Sequence, residues 1–289
     1  MRHLKTYRLF ESSVSGLTQE QEAFLNKHTK GSWRYNPTTG LVDVEGDFKF
    51  SSENLVDMYG IKFGKVSGNF NCSWNKLTSL KGAPQEVGGG FYCHYSKLTS
   101  LEGAPQKVGV DFDCSYNRLT SLEGAPQKVS SNFSCIGNKL TSLKGAPQEV
   151  GGMFHCSENK LTSLEGAPQE VGGGFDCSYN KLTSLKGAPQ KVGGRFYCGS
   201  FELGPGKWNL EGWLGILKKG KPKAQSLILT FIPPEAINKE IQKDPAGMIM
   251  KLKGFWNSPD FESTRAKLVW PQGYEEQMDI VGGLNTIGF

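Results

Sequence analysis

The chain has 289 residues and a formal net charge of +5, from 33 Lys and Arg residues against 28 Asp and Glu residues. A charge this mild gives no reason to expect nucleic-acid binding, and an apolar content of 37% is typical of a folded protein rather than a disordered one. No apolar run reaches the roughly 18 residues that a membrane-spanning helix needs, and the first residues lack the apolar core of a signal peptide. The 37 glycines, about twice the average frequency, predict many turns.

Residues 1–45 are predicted to form a leader and an N-terminal cap. Thr18 and Gln21 have the spacing of a capping box, ahead of a helix that carries Phe24 and Leu25. The following segment, S-W-R-Y-N-P-T-T-G-L-V-D-V-E-G, is typical of a β-hairpin. The cap is therefore predicted to be a helix followed by a hairpin.

A 21-residue unit then recurs from Phe70 onward with the consensus F-x-C-S-x-N-K-L-T-S-L-(K/E)-G-A-P-Q-(K/E)-V-G-G-x. Alternation along a short strand places its Phe and Cys side chains on one face, and Gly-Ala-Pro and Gly-Gly supply bends. The pattern predicts a parallel solenoid in which equivalent side chains of successive coils form ladders about 4.8 Å apart. The frame is marked by cysteines spaced 21 residues apart: Cys72, Cys93, Cys114, Cys135, Cys156, Cys177 and Cys198.

A degenerate copy precedes the regular ones and extends the predicted solenoid to residues 46–203. Residues 204–289, where the period is lost, are predicted to form a mainly helical C-terminal cap. This cap is expected to contain a helix from Trp208 to Leu217, a strand at S-L-I-L-T-F-I and short helices over 234–289. The predicted fold class is α+β, a β-solenoid between two caps. The degenerate copy is recognised by Phe48, Phe50, Leu55, Met58, Gly60 and Val66.

An asparagine follows most of the cysteines by three residues, where a buried amide can satisfy backbone groups that a turn leaves unpaired. Ser96 interrupts this asparagine ladder once. Its members are Asn75, Asn117, Asn138, Asn159 and Asn180.

The pattern N-x-L-x-x-L-x-x-x-P-x-x-V before a strand resembles the short bacterial class of leucine-rich repeat found in YopM-like and IpaH-like effectors. The matching residues in the first regular copy are Asn75, Leu77, Leu80, Pro84 and Val87. The copy departs from that class at Lys81 and Ala83, where the class has proline and leucine. Its strand reads Phe-x-Cys instead of Leu-x-Val, and each coil has one extra glycine. The full sequence of the repeat unit is more similar to repeat proteins of large tailed bacteriophages. This resemblance implies a leucine-rich-repeat scaffold that binds a partner.

No arrangement of residues predicts catalysis, a metal or a cofactor. Cysteines in one inward column have parallel Cβ vectors, so we expect reduced, buried, metal-free thiols. His94 and His155 lie nearly three coils apart without a Cys, Asp or Glu arrangement that would make either a catalytic base, and Asp113 and Asp176 are also three coils apart. IpaH-like proteins have a ligase domain with a catalytic cysteine, but no cysteine follows Cys198. The chain is therefore expected not to be an enzyme.

The positions that vary between copies are the candidates for partner binding, since packing fixes the other positions. They carry Trp, Tyr, His and Asp on the predicted outer strand face, a composition suited to a protein interface. The alternatives are a glycan, bound by Tyr92, Tyr95, Tyr116 and Asp113, or repeat drift without any partner. The predicted binding residues are Trp74, Tyr92, His94, Tyr95, Asp113, Tyr116, His155, Asp176, Tyr179 and Tyr197.

A second surface feature is a row of one basic residue per coil, which predicts either polyanion binding or a solvated face. Acidic and basic residues around G-A-P-Q, such as Lys81 with Glu86, alternate in sign and are expected to neutralise part of the same flank. The basic row consists of Lys76, Lys97, Arg118, Lys139, Lys160 and Lys181.

The first residues, M-R-H-L-K-T-Y-R-L-F-E-S, resemble the leader of internal head proteins in large tailed phages, which a protease removes at a site like Leu9 to Ser12. The resemblances together imply a phage-encoded, non-enzymatic interaction protein, either a virion component or a host-interaction factor. Its expected partner is a protein, with no nucleic acid and no membrane. Its expected location is the cytoplasm of the host bacterium, with packaging in the virion as the alternative.

Overall fold

A computed structural model describes residues 16–182 and 187–199, together with two short strands at 226–230 and 268–269. The predicted cleavage site at Leu9 to Ser12, the predicted helix from Trp208 to Leu217 and the predicted short helices over 234–289 lie outside the described residues. The domain boundaries at residues 45 and 203 stay predictions.

The N-terminal cap begins with helix α1 (Gln19–His28), whose capping box is formed as predicted. Thr18 Oγ1 accepts the Gln21 N–H at 3.2 Å, and Gln21 Oε1 accepts the Thr18 N–H at 2.9 Å. Strands β1 (Thr29–Asn36) and β2 (Leu41–Lys49) pair antiparallel and confirm the predicted hairpin. Phe24 packs its ring against Phe48 and Phe50, so α1 covers the first end of the solenoid core.

The remainder of the described chain is a parallel β-solenoid of 21-residue coils, as predicted. Its strands, in chain order, are β3 (Phe63–Val66), β4 (Phe70–Asn71), β5 (Glu86–Val87), β6 (Phe91–Tyr92), β7 (Lys107–Val108), β8 (Phe112–Asp113), β9 (Lys128–Val129), β10 (Phe133–Ser134), β11 (Glu149–Val150), β12 (Phe154–His155), β13 (Glu170–Val171), β14 (Phe175–Asp176), β15 (Lys191–Val192), β16 (Arg195–Gly199), β17 (Ser226–Thr230) and β18 (Leu268–Val269).

Each regular coil contributes two strands, whereas the sequence predicted only the Phe-x-Cys strand. One parallel ladder joins β4, β6, β8, β10, β12, β14 and β16, and a second joins β3, β5, β7, β9, β11, β13 and β15. Strand β2 is long enough to pair with both β3 and β4, which anchors the hairpin to both ladders. The first ladder continues through β17 and β18, and β17 confirms the strand predicted there.

The core is a set of stacked side-chain columns. Along the Phe column, from Phe48 to Phe196, successive ring centroids lie 5.1 to 5.6 Å apart with nearly parallel planes. The leucines, valines and cysteines of the coils form further buried columns beside it. Each Gly of Gly-Ala-Pro in the described coils has positive φ, for example 93° at Gly124, which explains why glycine recurs at this turn.

Six cysteines, Cys72 to Cys177, are buried, as predicted, and none of them forms a disulfide among the described residues. The nearest polar contacts of Cys72 and Cys114 are backbone carbonyls of the next coil, which accept from Sγ at 3.4 and 3.3 Å. Burial raises the thiol pKa of these cysteines well above the usual value, because a thiolate would be desolvated in the core. The side chain of Cys198 lies outside the described residues.

This burial predicts inert thiols in the native protein. Titration with a thiol reagent at pH 8 should detect almost none of the six described cysteines, because reaction requires an exposed thiolate. After denaturation without reductant, all seven cysteines should react. A disulfide, or rapid labelling of the native protein, would contradict the buried cysteine column.

Candidate functional site

The asparagines of the ladder lie in the turns that directly follow the Phe-x-Cys segments. In a regular coil, Asn138 Nδ2 donates to the carbonyls of Cys114 and Cys135 at 3.1 Å, and Asn138 Oδ1 accepts the Leu119 N–H at 3.0 Å. The amide satisfies backbone groups of its own turn, as predicted, and it also joins that turn to the preceding coil. Ser96 lacks such an amide, and its buried Oγ has no hydrogen-bond partner among the residues that the structure describes.

The residue two positions after the cysteine of each coil has a left-handed backbone, with φ of 58° at Trp74, 51° at Tyr95 and 52° at Tyr116. The sequence placed these residues on the strand face, and this prediction was wrong. The strands end at the residue before the cysteine, and the turn that follows is the same in the coil where Ser96 replaces the asparagine. The backbone N–H groups of Trp74 and Tyr95 donate to the next coil, which keeps the turns in register.

The three rings form an exposed stack, here called the aromatic column (Trp74, Tyr95 and Tyr116). The centroids of Trp74 and Tyr95 lie 4.0 Å apart, and those of Tyr95 and Tyr116 lie 4.4 Å apart, each pair within 14° of parallel. The exposed fraction is 53% for Trp74 and 40% for Tyr95, and Tyr116 is half-buried. Large, stiff rings that remain in solvent are unusual, and residues of this kind dominate binding energies at interfaces.

The column stops because the next coil has glycine at this turn position. A Cβ at Gly137 would lie within 2.4 Å of the Tyr116 ring, so that ring leans over the glycine. Burial raises the pKa of the Tyr116 hydroxyl, and interactions with the Glu158 carboxylate and the Tyr95 hydroxyl raise it further. Tyr179 occupies the same turn position two coils beyond Gly137 and is 45% exposed.

Tyr92 was predicted to belong to the same cluster, but the structure separates it. Its ring lies back over Gly90, and its hydroxyl donates to Asp111 Oδ2 at 3.4 Å. There it lines a shallow cleft beside the hairpin, together with Lys49 and Asn71. Tyr92 and Tyr197, both in the first ladder, are partly buried, so the strand face proper carries less exposed aromatic surface than predicted.

The histidines pair with aspartates, which the sequence analysis missed. His94 Nδ1 lies 3.0 Å from Asp113 Oδ2, and His155 Nδ1 lies 4.0 Å from Asp176 Oδ2. The sequence analysis considered the distance between the two histidines and between the two aspartates. It did not consider that residues 19 or 21 apart in sequence become neighbours in adjacent coils. The 21-residue period was the available signal for His155 and Asp176, which occupy equivalent positions, but not for His94 and Asp113.

These pairs lower the pKa of their aspartates. Burial alone would raise the pKa of Asp113, but hydrogen bonds from His94 and from the Ser115 side chain and backbone N–H outweigh it. Asp176 has a lowered pKa for the same reasons, with His155 and Ser178 as its partners. Both aspartates therefore remain charged at neutral pH, and they also cap the turn at the serine that follows two residues later.

Ser73, His94 and Asp113 form a small cluster whose geometry differs from a catalytic triad. Ser73 Oγ lies 3.1 Å from His94 Nδ1, the same nitrogen that contacts Asp113. A proton relay requires the serine on one ring nitrogen and the carboxylate on the other. In the described part of the chain, no group of three or more His, Cys, Asp or Glu side chains is arranged to hold a metal ion.

The six side chains of the basic row are all exposed. Within residues 16–182 and 187–199, none of them forms an ion pair with an acidic side chain. The acidic residues that do pair, such as Glu86 with Lys107 and Glu123 with Lys144, contact lysines of neighbouring coils in other columns. The flanking charges that alternate in sign therefore pair with one another between coils rather than with the basic row.

No helix among the described residues is long and apolar enough to cross a membrane. Comparison of the chain with protein-family models, with curated proteins and with solved structures found no significant match.

Proposed function

We propose that this protein is a non-enzymatic interaction scaffold that binds another protein through the aromatic column. The observation that carries the proposal is the exposed stack of Trp74, Tyr95 and Tyr116, held by a hydrogen-bonded solenoid. The backbone is already ordered before a partner binds, so association would cost little conformational entropy beyond side-chain ordering. Aromatic rings on a rigid support are typical of the residues that dominate protein interfaces.

The stacking favours a protein over a glycan as the partner. A sugar ring packs against the open face of an aromatic ring, but both faces of Tyr95 are covered by neighbouring rings at 4.0 and 4.4 Å. Of the other two tyrosines in the glycan hypothesis, Tyr116 lies over Gly137, and Tyr92 lies apart and bonds to Asp111. The exposed ring edges suit the mixed apolar and polar surface of a protein instead.

The repeat wording supports assignment to the short bacterial leucine-rich-repeat class, and it supports an origin in a large tailed phage. In that setting the protein is a virion component or a factor that binds host proteins. The coil length of 21 residues, the leucines of N-x-L-x-x-L and the buried asparagine agree with this class. The repeat unit differs from the effector repeats in having Phe-x-Cys in place of Leu-x-Val and one extra glycine.

Capture experiments test the proposal. The immobilised full chain should retain a specific protein from an extract of bacterial cells, identified by mass spectrometry. Replacing Tyr95 and Tyr116 by alanine should weaken binding of that protein by at least about 2 kcal/mol, roughly 30-fold in Kd, because interface energy concentrates in buried aromatic residues. The melting temperature should barely change, since both rings lie outside the core.

Tyr179→Ala is the matched control, because it removes an exposed tyrosine from the same turn position outside the aromatic column. It should cost less than about 0.5 kcal/mol of binding. Equal losses from Tyr179→Ala and from the double variant would contradict a site centred on the stack. Binding of glycans, but of no protein, in the same format would support the alternative function.

A further inference from the structure

The aromatic column and the basic row run side by side along the solenoid. In each coil the basic residue follows the aromatic position by two, as with Trp74 and Lys76 or Tyr95 and Lys97. The residue between them points into the core, for example Asn75 at 6% exposure. Rings and bases therefore flank the same turn, and each set repeats about every 4.8 Å along the axis.

The basic row has unneutralised charge that the fold itself holds in place. The backbone N–H of each basic residue donates to a leucine carbonyl of the preceding coil, such as Lys97 to Leu77 at 2.9 Å. Six like charges spaced by one coil repel each other and produce a positive potential along the strip. An anionic partner would relieve that repulsion, since no described acidic side chain forms an ion pair with the row. Glu158, two residues before Lys160, is the carboxylate that contacts the end of the aromatic column at Tyr116.

The stack adds to this preference for anions. An aromatic ring has a negative face and a positive edge. Stacking covers both faces of Tyr95 and one face each of Trp74 and Tyr116, so the middle of the stack presents ring edges and a hydroxyl group to the solvent. Single-stranded nucleic acids bind by stacking their bases on open ring faces, which this arrangement does not offer in the middle of the stack.

From these observations we infer that the aromatic column and the basic row together form one docking strip for an extended acidic polypeptide segment of the partner, lying parallel to the solenoid axis. Carboxylates of the segment would contact the basic row, and its apolar side chains would contact the ring edges. This inference rests on the proposed function and names the chemistry of the partner.

A direct binding measurement tests it with a fluorescein-labelled peptide of six Glu-Leu repeats and a control peptide with Gln in place of Glu. The full chain should bind the Glu peptide and bind the Gln peptide at least about tenfold more weakly. Affinity for the Glu peptide should fall steeply between about 50 and 300 mM salt, because charged contacts are screened.

Lys97→Glu with Arg118→Glu should weaken binding of the Glu peptide at least about tenfold. Lys62→Glu with Lys81→Glu is the matched control on another flank, and either pair lowers the formal net charge by 4, from +5 to +1. The control should bind the Glu peptide within about threefold of the unmodified chain. Circular dichroism and melting should show that both variants remain folded.

Three outcomes would overturn the inference: no binding of the Glu peptide, equal losses in the two charge-reversal variants, or tighter binding of an oligothymidine strand than of the peptide. The last result would assign the strip to nucleic acid. If a captured protein depends on Tyr95 and Tyr116 but not on Lys97 and Arg118, the proposed function stands and the acidic-segment inference fails. If it depends on neither pair, both proposals fail.

Discussion

Replacing Phe112 by alanine should lower the free energy of unfolding by about 3 to 5 kcal/mol. The ring is fully buried and lies between Phe91 and Phe133, with centroid distances of 5.4 and 5.3 Å. The spacing of the coils is set by backbone hydrogen bonds on both sides, so the neighbours cannot move together to fill the space. An interior coil of a solenoid also contributes two interfaces, and both would be weakened. Guanidinium denaturation followed by circular dichroism would measure the loss.

Tyr116→Ala provides the control within the same coil. It also removes an aromatic ring from a stacked column, but this column lies at the surface, and we expect a loss below about 1 kcal/mol. A loss from Phe112→Ala as small as that from Tyr116→Ala would show that the core collapses around the missing ring. The Phe column would then not be the main source of stability.

Replacing Asn138 by alanine should cost about 1 to 3 kcal/mol, although the side chain is small and polar. The change leaves the Leu119 N–H without its acceptor. The carbonyls of Cys114 and Cys135 lose the Asn138 amide but still accept from Asn117 and Asn159. Each buried polar group left unpaired costs about 1 to 3 kcal/mol. Denaturant unfolding would measure the cost, and hydrogen exchange should show loss of protection at the Leu119 N–H.

The converse change at Ser96 should stabilise the protein. Ser96 occupies the asparagine position of its coil, and its buried hydroxyl has no hydrogen-bond partner among the described residues. Ser96→Asn would supply the missing amide, with an expected gain of about 1 to 2 kcal/mol. A destabilised variant would show that this coil differs in shape from its neighbours and that the asparagine ladder is not interchangeable along the solenoid.

The sequence by itself determined the features that depend on equivalent positions. Equivalent units pack in equivalent ways, so the 21-residue period predicted the parallel coils, the inward Phe and Cys columns and the asparagine that satisfies backbone groups of the turn. Local signals were equally direct at the N-terminus, where Thr18 and Gln21 predicted the start of α1. These features depend only on local sequence signals, on the alternation of side chains along each strand and on the stacking of equivalent positions in successive coils.

The tertiary structure alone decided how non-equivalent positions meet. The pairing of His94 with Asp113 joins residues 19 apart, which the period of 21 does not contain. The left-handed turn at Trp74 and Tyr95 follows from hydrogen bonds between coils, and it moved the rings from the strand face into a stack. The same register paired Glu86 with Lys107 and left Lys97 without an acidic partner among the described residues. Side-chain contacts of this kind depend on the direction in which each turn aims its residues, and a linear repeat specifies the order of those residues but not their direction.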